Sequence, residues 1–210
     1  MAPNTQPVFW YLGLDLSARG AGAALVSRDL KRYYSTRVGY SVKQGAPLME
    51  RIVRAYDVAC AINSFIAKVV NVPDGTDGTI TRGMFETAQW QAPLATGNDI
   101  FNVQQEVLSM LIHGGRSDEA TPWFRLFDPP IGVTPSEVKK YHCGKGNANN
   151  MFLLSHLTNR YGIVAPSEDE AVAYALATMA RESLHEVENL RKDQQKILKN
   201  VRDRAVTFRG

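Results

Sequence analysis

The chain has 210 residues, 44% of them hydrophobic, with a formal net charge of +3 and two cysteines. That is enough apolar material for one domain with a sizeable core, or for one domain with an appendage, and it excludes a disordered chain and a disulfide-stapled scaffold. Cys60 and Cys143 form no CxxC, and residues 8–14 are too short for a membrane span and lack a basic leader, so a soluble protein with free thiols in a reducing, cytoplasmic compartment is expected.

Residues 1–8 read as a leader, 9–180 as the body and 181–210 as a basic, charged helical tail. The tail holds eight Lys/Arg against five acids, which accounts for the whole net charge and leaves residues 1–180 neutral. Such a distribution permits contact with nucleic acid without demanding it.

The first element is a buried strand, Tyr11-Leu-Gly-Leu-Asp-Leu-Ser17. The small, Gly-rich run from Ala18 to Val26 makes it one half of a hairpin. Asp15 inside that strand needs compensation: either a bound cation, or backbone N–H groups of the following turn. Arg28-Asp29 marks the far turn, and alternation over 31–40 gives a third strand with Tyr34, Thr36 and Val38 on one face. Apolar residues at helical spacing over 48–70 (Ile52, Ala55, Tyr56, Ala59, Ile62, Ile66, Val69) predict a long amphipathic helix.

Residues 79–87 form a fourth strand that ends on an acid, Glu86. A second helix is expected over 99–112 and a short strand over 124–127. Thr134-Pro-Ser-Glu137 carries the signature of a capped helix start, and Gly144-Lys-Gly146 interrupts that helix. A further helix spans 150–161 and stops at Gly162. Ser167-Glu-Asp-Glu170 then opens an Ala-rich helix that runs into the tail.

Three acidic points therefore stand on different elements: Asp15, Glu86 and the Glu168-Asp169-Glu170 helix start. In a βββαβ order the first and fourth strands can be neighbours, and a helix packed on them can bring its first turn to the same edge. Carboxylates gathered there repel unless a divalent cation sits between them. Mg²⁺ takes oxygen ligands and keeps several waters, so a few carboxylates suffice. Two such ions about 4 Å apart would activate a water and stabilise a leaving oxygen in phosphodiester hydrolysis. No His/Cys set has zinc spacing.

This order of acids resembles the RNase H-like nucleases, and within them the RuvC-like Holliday junction resolvases. The resemblance rests on Gly13-Leu-Asp-Leu-Ser17 with Gly20 and Gly22, on Phe85-Glu86, on Val133-Thr-Pro-Ser-Glu-Val-Lys139 followed by Gly144-Lys-Gly-Asn-Ala148, and on Asp169-Glu-Ala-x-Ala173; it covers roughly residues 9–180. It implies an α/β fold with a mixed five-stranded sheet, three antiparallel strands followed by parallel ones, flanked by helices. It further implies a homodimeric, metal-dependent endonuclease that resolves four-way junctions or other branched DNA. Mg²⁺ is the implied cofactor, with two ions expected and Mn²⁺ as a substitute.

By the same match Asp15 and Glu86 are expected metal ligands, with Asp169 first and Glu170 second from the closing helix. Where the family carries another acid three residues after the first, this chain has Val172. Lys139 corresponds to a phosphate-contacting lysine, and Lys145 sits in the Gly-x-Gly turn. Asn150 replaces a second lysine. Trp90, one residue beyond the family's junction-probing aromatic position, and Arg19 in the turn after Asp15 complete the expected DNA contacts. The family includes bacterial and viral members; the compartment would be the host cytoplasm for a viral chain. Two other readings stay open: a branched-DNA-binding module of the same fold with decayed catalysis, and an actin-like ATPase, whose first phosphate loop is also Gly-rich after an acidic strand end.

Overall fold

The chain folds around a five-stranded mixed sheet with helices on both faces. The computed structural model describes residues 8–17, 20–39, 46–70, 79–87, 104, 105, 107–109, 112 and 130–207. Its elements are β1 (Phe9–Leu16), β2 (Gly20–Ser27), β3 (Tyr33–Gly39), α1 (Leu48–Val70), β4 (Thr79–Glu86), β5 (Ile131–Val133), α2 (Pro135–Cys143), α3 (Asn150–Tyr161), α4 (Glu168–Glu182) and α5 (Lys192–Thr207). The sheet order is β3-β2-β1-β4-β5. β1 pairs antiparallel with β2, and β2 with β3; β1 pairs parallel with β4, and β4 with β5. This is the three-antiparallel-then-parallel sheet expected from the sequence.

Successive side chains of a strand point to opposite faces, and β1 and β2 are apolar on both, so both faces are covered. Trp10, Leu12, Leu14 and Leu16 of β1 join Ala21, Ala23 and Leu25 of β2 under Ala55, Val58, Ala59, Ile62 and Ile66 of α1. Ile52, expected on that buried stripe, is exposed. On the other face Tyr11, Ala24, Val26 and Met84 meet α4, with α2, α3 and α5 around it.

α4 lies directly on β1 and β2 because those strands are bare where it crosses. A Cβ on Gly13 would fall 1.9 Å from the Ala173 carbonyl oxygen, and one on Gly22 would fall 2.3 Å from that of Asp169. The small side chains Ala171, Ala173, Ala175 and Ala177 of α4 are all fully buried.

The helix boundaries follow local chemistry. Thr134 caps α2 in a capping box with Glu137, with Pro135 in the first turn. Asn149 caps α3 by accepting from the Phe152 N–H, and Gly162 ends it at φ 69°. Ser167 caps α4 by accepting from the Glu170 N–H.

One expectation falls outside the described residues and another needs correction. The fifth strand of the sheet is Ile131–Val133, three residues that abut the cap of α2 and are too few to show a period; residues 124–127 lie outside the described residues. α4 does not run into the tail. It stops at Glu182 with Ser183 as its cap, and α5 begins at Lys192 after nine intervening residues. Residues 104, 105, 107–109 and 112 of the expected 99–112 helix are helical.

The tail helix is part of the same packing. Its Ile197, Leu198 and Val201 are buried in the cluster that holds α4. Cys60 and Cys143 are free, and no described helix is long and apolar enough to cross a membrane.

Candidate active site

The acids meet because of sheet register. Asp15 is the penultimate residue of β1 and lies on the α4 face, two residues on from Gly13. The β1–β4 pairing runs Gly13↔Met84 and Leu14↔Phe85, so Glu86 stands beside Asp15 at the same ends of two parallel neighbours. Asp15 also pairs with Gly22 of β2, the residue over which the Asp169 carbonyl sits. The Asp169 carboxylate is next to Gly20, with Oδ2 3.5 Å from where a Cβ there would be. Three chain segments thus deliver one carboxylate each to one end of the sheet.

Electrostatics records their closeness. Burial pushes the Asp15 carboxyl up to about 8, and the negative charges of Glu86 and Asp169 push the same way. Burial pushes Glu86 up to about 7, against the pull of the Lys139 cation on α2. Among the described residues no hydrogen-bond donor or cation compensates Asp15, which is 8% exposed. The turn-capping alternative for Asp15 therefore has no described donor behind it. Among the described residues no three Asp, Glu, His or Cys side chains stand close enough together, as they are, to hold a metal ion.

The two helix acids are treated differently. Arg37 Nε on β3 donates to Asp169 Oδ2 at 2.6 Å. Glu170 is buried and turned away: Ser35 Oγ donates to one carboxylate oxygen and Ser167 Oγ to the other, both at 2.8 Å. Ser167 and Glu170 thereby close the cap of α4, and Glu170 does not join Asp15 and Glu86. Val172, where the family's second helix acid would fall, is buried.

Of the expected DNA contacts, Lys139 faces the acids through its effect on Glu86. Lys145 is exposed and lines a separate groove with Asn149 and Phe152. Asn150 Nδ2 donates to Glu168 at 2.8 Å, tying α3 to the start of α4. Arg19 and Trp90 lie outside the described residues.

No protein-family model matches the chain, and no curated protein matches it either. Solved structures do. A RuvC structure from Thermus thermophilus matches with a TM-score of 0.55 at 16% identity, over 84% of this chain and 95% of that one. T. thermophilus RuvC in complex with a Holliday junction substrate matches with a TM-score of 0.55 at 17% identity, over 82% of this chain and 91% of that one. The fold is RuvC-like.

Within this RuvC-like fold, two residues that the sequence reading passed over support the acidic end. Buried Gln104 donates through Nε2 to the backbone carbonyls of Leu16 at 3.1 Å and of Glu86 at 2.9 Å, and so joins the ends of β1 and β4. Its signal was available, since it falls on the apolar stripe four residues after Ile100 and three before Val107. Arg37 is the other. With Ser35 it occupies alternate positions of an edge strand, and both reach the first turn of α4.

Proposed function

We propose that the chain is a divalent-metal-dependent endonuclease acting on branched DNA, with Asp15, Glu86 and Asp169 as the ligand set. One observation carries this: carboxylates from β1, β4 and α4 share one end of the sheet, and the most buried of them lacks a described counter-charge. Their oxygen donors suit a hard cation such as Mg²⁺ and not zinc. The bound ion would supply an activated water and charge neutralisation at the scissile phosphate. Lys139 would meet a non-bridging phosphate oxygen from α2, Arg37 would neutralise Asp169 until an ion displaces it, and Gln104 would keep β1 and β4 in register. The likeness to RuvC in complex with a Holliday junction substrate supports four-way DNA as the first substrate to try. A two-fold homodimer would suit a four-way junction, whose symmetry is similar.

A second reading has an observation of its own. Because Glu170 is tied to Ser35 and Ser167, and Val172 is apolar, α4 offers the site one acid. A binding module of the same fold that holds junctions without cutting them would look like this. The discriminating experiment incubates the chain with four-way, three-way, flap and linear DNA, with Mg²⁺, with Mn²⁺ and with neither. The nuclease reading expects nicks in branched DNA that require the metal and vanish in Asp15→Asn while binding persists. Tight junction binding without nicks in either metal would establish the second reading instead.

A further inference from the structure

At the other end of β1 the charge has the opposite sign. Tyr11, on the same face as Asp15 and four residues before it, offers its hydroxyl to His185 Nε2 at 2.5 Å. Arg28 from the β2–β3 turn, Arg181 from the last turn of α4 and Arg82 from β4 all act on the Tyr11 hydroxyl. Arg28 and Arg181 also hold the His185 imidazole below its ordinary range, behind the larger effect of burial.

Beside them runs a groove of about 350 Å³ lined by Arg82, Ser183, His185, Glu186 and Arg202, among others. Arg82 and Arg202 converge on one residue there: Arg82 Nη1 donates to Ser183 Oγ at 3.0 Å, and Arg202 Nε to the Ser183 carbonyl at 2.7 Å.

A helix C-terminus favours cations, and Arg181 Nε also donates to the Arg28 carbonyl at 2.5 Å. That accounts for Arg181 alone. Arg82 and Arg202 line the groove from β4 and α5, and the charges of Arg28 and Arg181 reach its edge at Tyr11 and His185. Among the described residues, none of Arg28, Arg181 and Arg202 is ion-paired with an acid. Glu186 is the carboxylate on the groove wall. Arginines that outnumber the carboxylates beside them repel one another, and an anion that accepts from several guanidinium forks relieves the repulsion.

We propose that this groove is a phosphate-binding site, separate from the acid cluster and usable whether or not the acids cut DNA. Phosphate suits it better than a carboxylate. It carries more charge, and its several oxygens can take donors that approach from β4 and α5 together. The phosphate belongs to a nucleic-acid strand or is free; the chemistry at the groove is the same. His185 reports on occupancy. It is faced by Tyr11, Arg28, Arg82, Arg181, Arg202 and Glu186, so an added anion offsets the arginine field and moves its titration upward.

The test follows the ring resonance of His185 in the full chain by NMR, without divalent metal. Inorganic phosphate is titrated against chloride at matched ionic strength. We expect a saturable shift with phosphate only, a rise in the His185 midpoint on the order of half a unit, and weakening by about threefold or more in Arg28→Gln and in Arg202→Gln. Arg28 is exposed in a turn, so its variant folds even where Arg202→Gln loosens α5. Duplex and single-stranded oligonucleotides form the second arm. If the phosphate is a strand's, Arg28→Gln weakens both equally across sequences and lowers the salt dependence by about one ion. If it is free, the oligonucleotide arm is unchanged. No phosphate effect beyond chloride overturns the proposal. So does an effect indifferent to both variants, or equal saturation by a polyglutamate peptide.

Discussion

Arg37 and Asp169 meet at 2.6 Å across the gap between β3 and the first turn of α4. Both side chains are partly exposed, at 52% and 26%, so solvent screens the pair and it adds little to folding. Its importance is local. The oxygen that Arg37 occupies, Oδ2, is one that an ion between Asp15 and Asp169 would compete for. We predict that Arg37→Ala leaves the denaturation midpoint almost unchanged and tightens Mg²⁺ binding, read by calorimetry.

Asp15 and Glu86 make the metal-free protein sensitive to pH in a particular direction. Their carboxyls are pushed up to about 8 and about 7 in the fold, from ordinary values of 3.8 and 4.5. A raised acid binds its proton more tightly when folded. Its favourable contribution is therefore complete below the ordinary value and is lost as pH rises through the raised one. Melting temperature in EDTA should fall between pH 5 and pH 8. Asp15→Asn should flatten the fall and raise stability at pH 8, whether or not the chain cuts DNA. Adding Mg²⁺ should flatten it as well, with release of protons.

Gly13 and Gly22 permit the approach of α4 at backbone distance. In Gly13→Ala the new methyl group would meet the Ala173 carbonyl, which cannot rotate away. A loss of about 3 kcal/mol is expected in urea denaturation. Gly22→Ala collides with the Asp169 backbone. It should weaken metal binding as well as folding, whereas Gly13→Ala should act on folding first.

The α5 helix grips α2 at both ends. Arg204 pairs with Glu137 in the first turn and donates to the Gly132 carbonyl at 2.8 Å. Arg191 donates to the Lys140 and Tyr141 carbonyls at the other end, and Gln194 to that of Tyr141. Burial pushes the Glu137 carboxyl up, but Arg204 and Thr134 outweigh it and hold it below the ordinary range. The advantage of the native chain over Arg204→Ala should be about 1 kcal/mol at neutral pH. A lowered acid contributes above its ordinary value, so the difference should disappear as pH falls through the lowered one. Parallel acid titrations of the two proteins would show it.

Much of this architecture was legible in the residues. Long periodic segments such as 48–70, and capped ones such as Thr134–Glu137 and Asn150–Gly162, announce themselves by local chemistry. Strand order allowed Asp15, Glu86 and the Glu168-Asp169-Glu170 helix start to share one edge, and the preference for Asp169 came from the family resemblance. What sequence did not give was tertiary. β5 has three residues and no period of its own. Glu170 and Asp169 are adjacent and chemically alike, and the choice between them is made by Ser35 and Arg37 from a distant strand. The break after Glu182 is invisible because Ser183 and Leu184 still fit a helical pattern; the buried Glu182, held by Tyr141, Tyr161 and Arg160, fixes where α4 stops.

The buried cluster beneath α4 joins Tyr11 to Val201. The opposite face of the sheet is covered by α1 and completed by Ile80, Val107 and Leu108, near the middle of the sequence. On a ribosome the two faces would therefore finish at very different times. The α1 side can be covered early, while the apolar underside of β1 and β2 stays open to water, or to a chaperone, until Val201 has emerged.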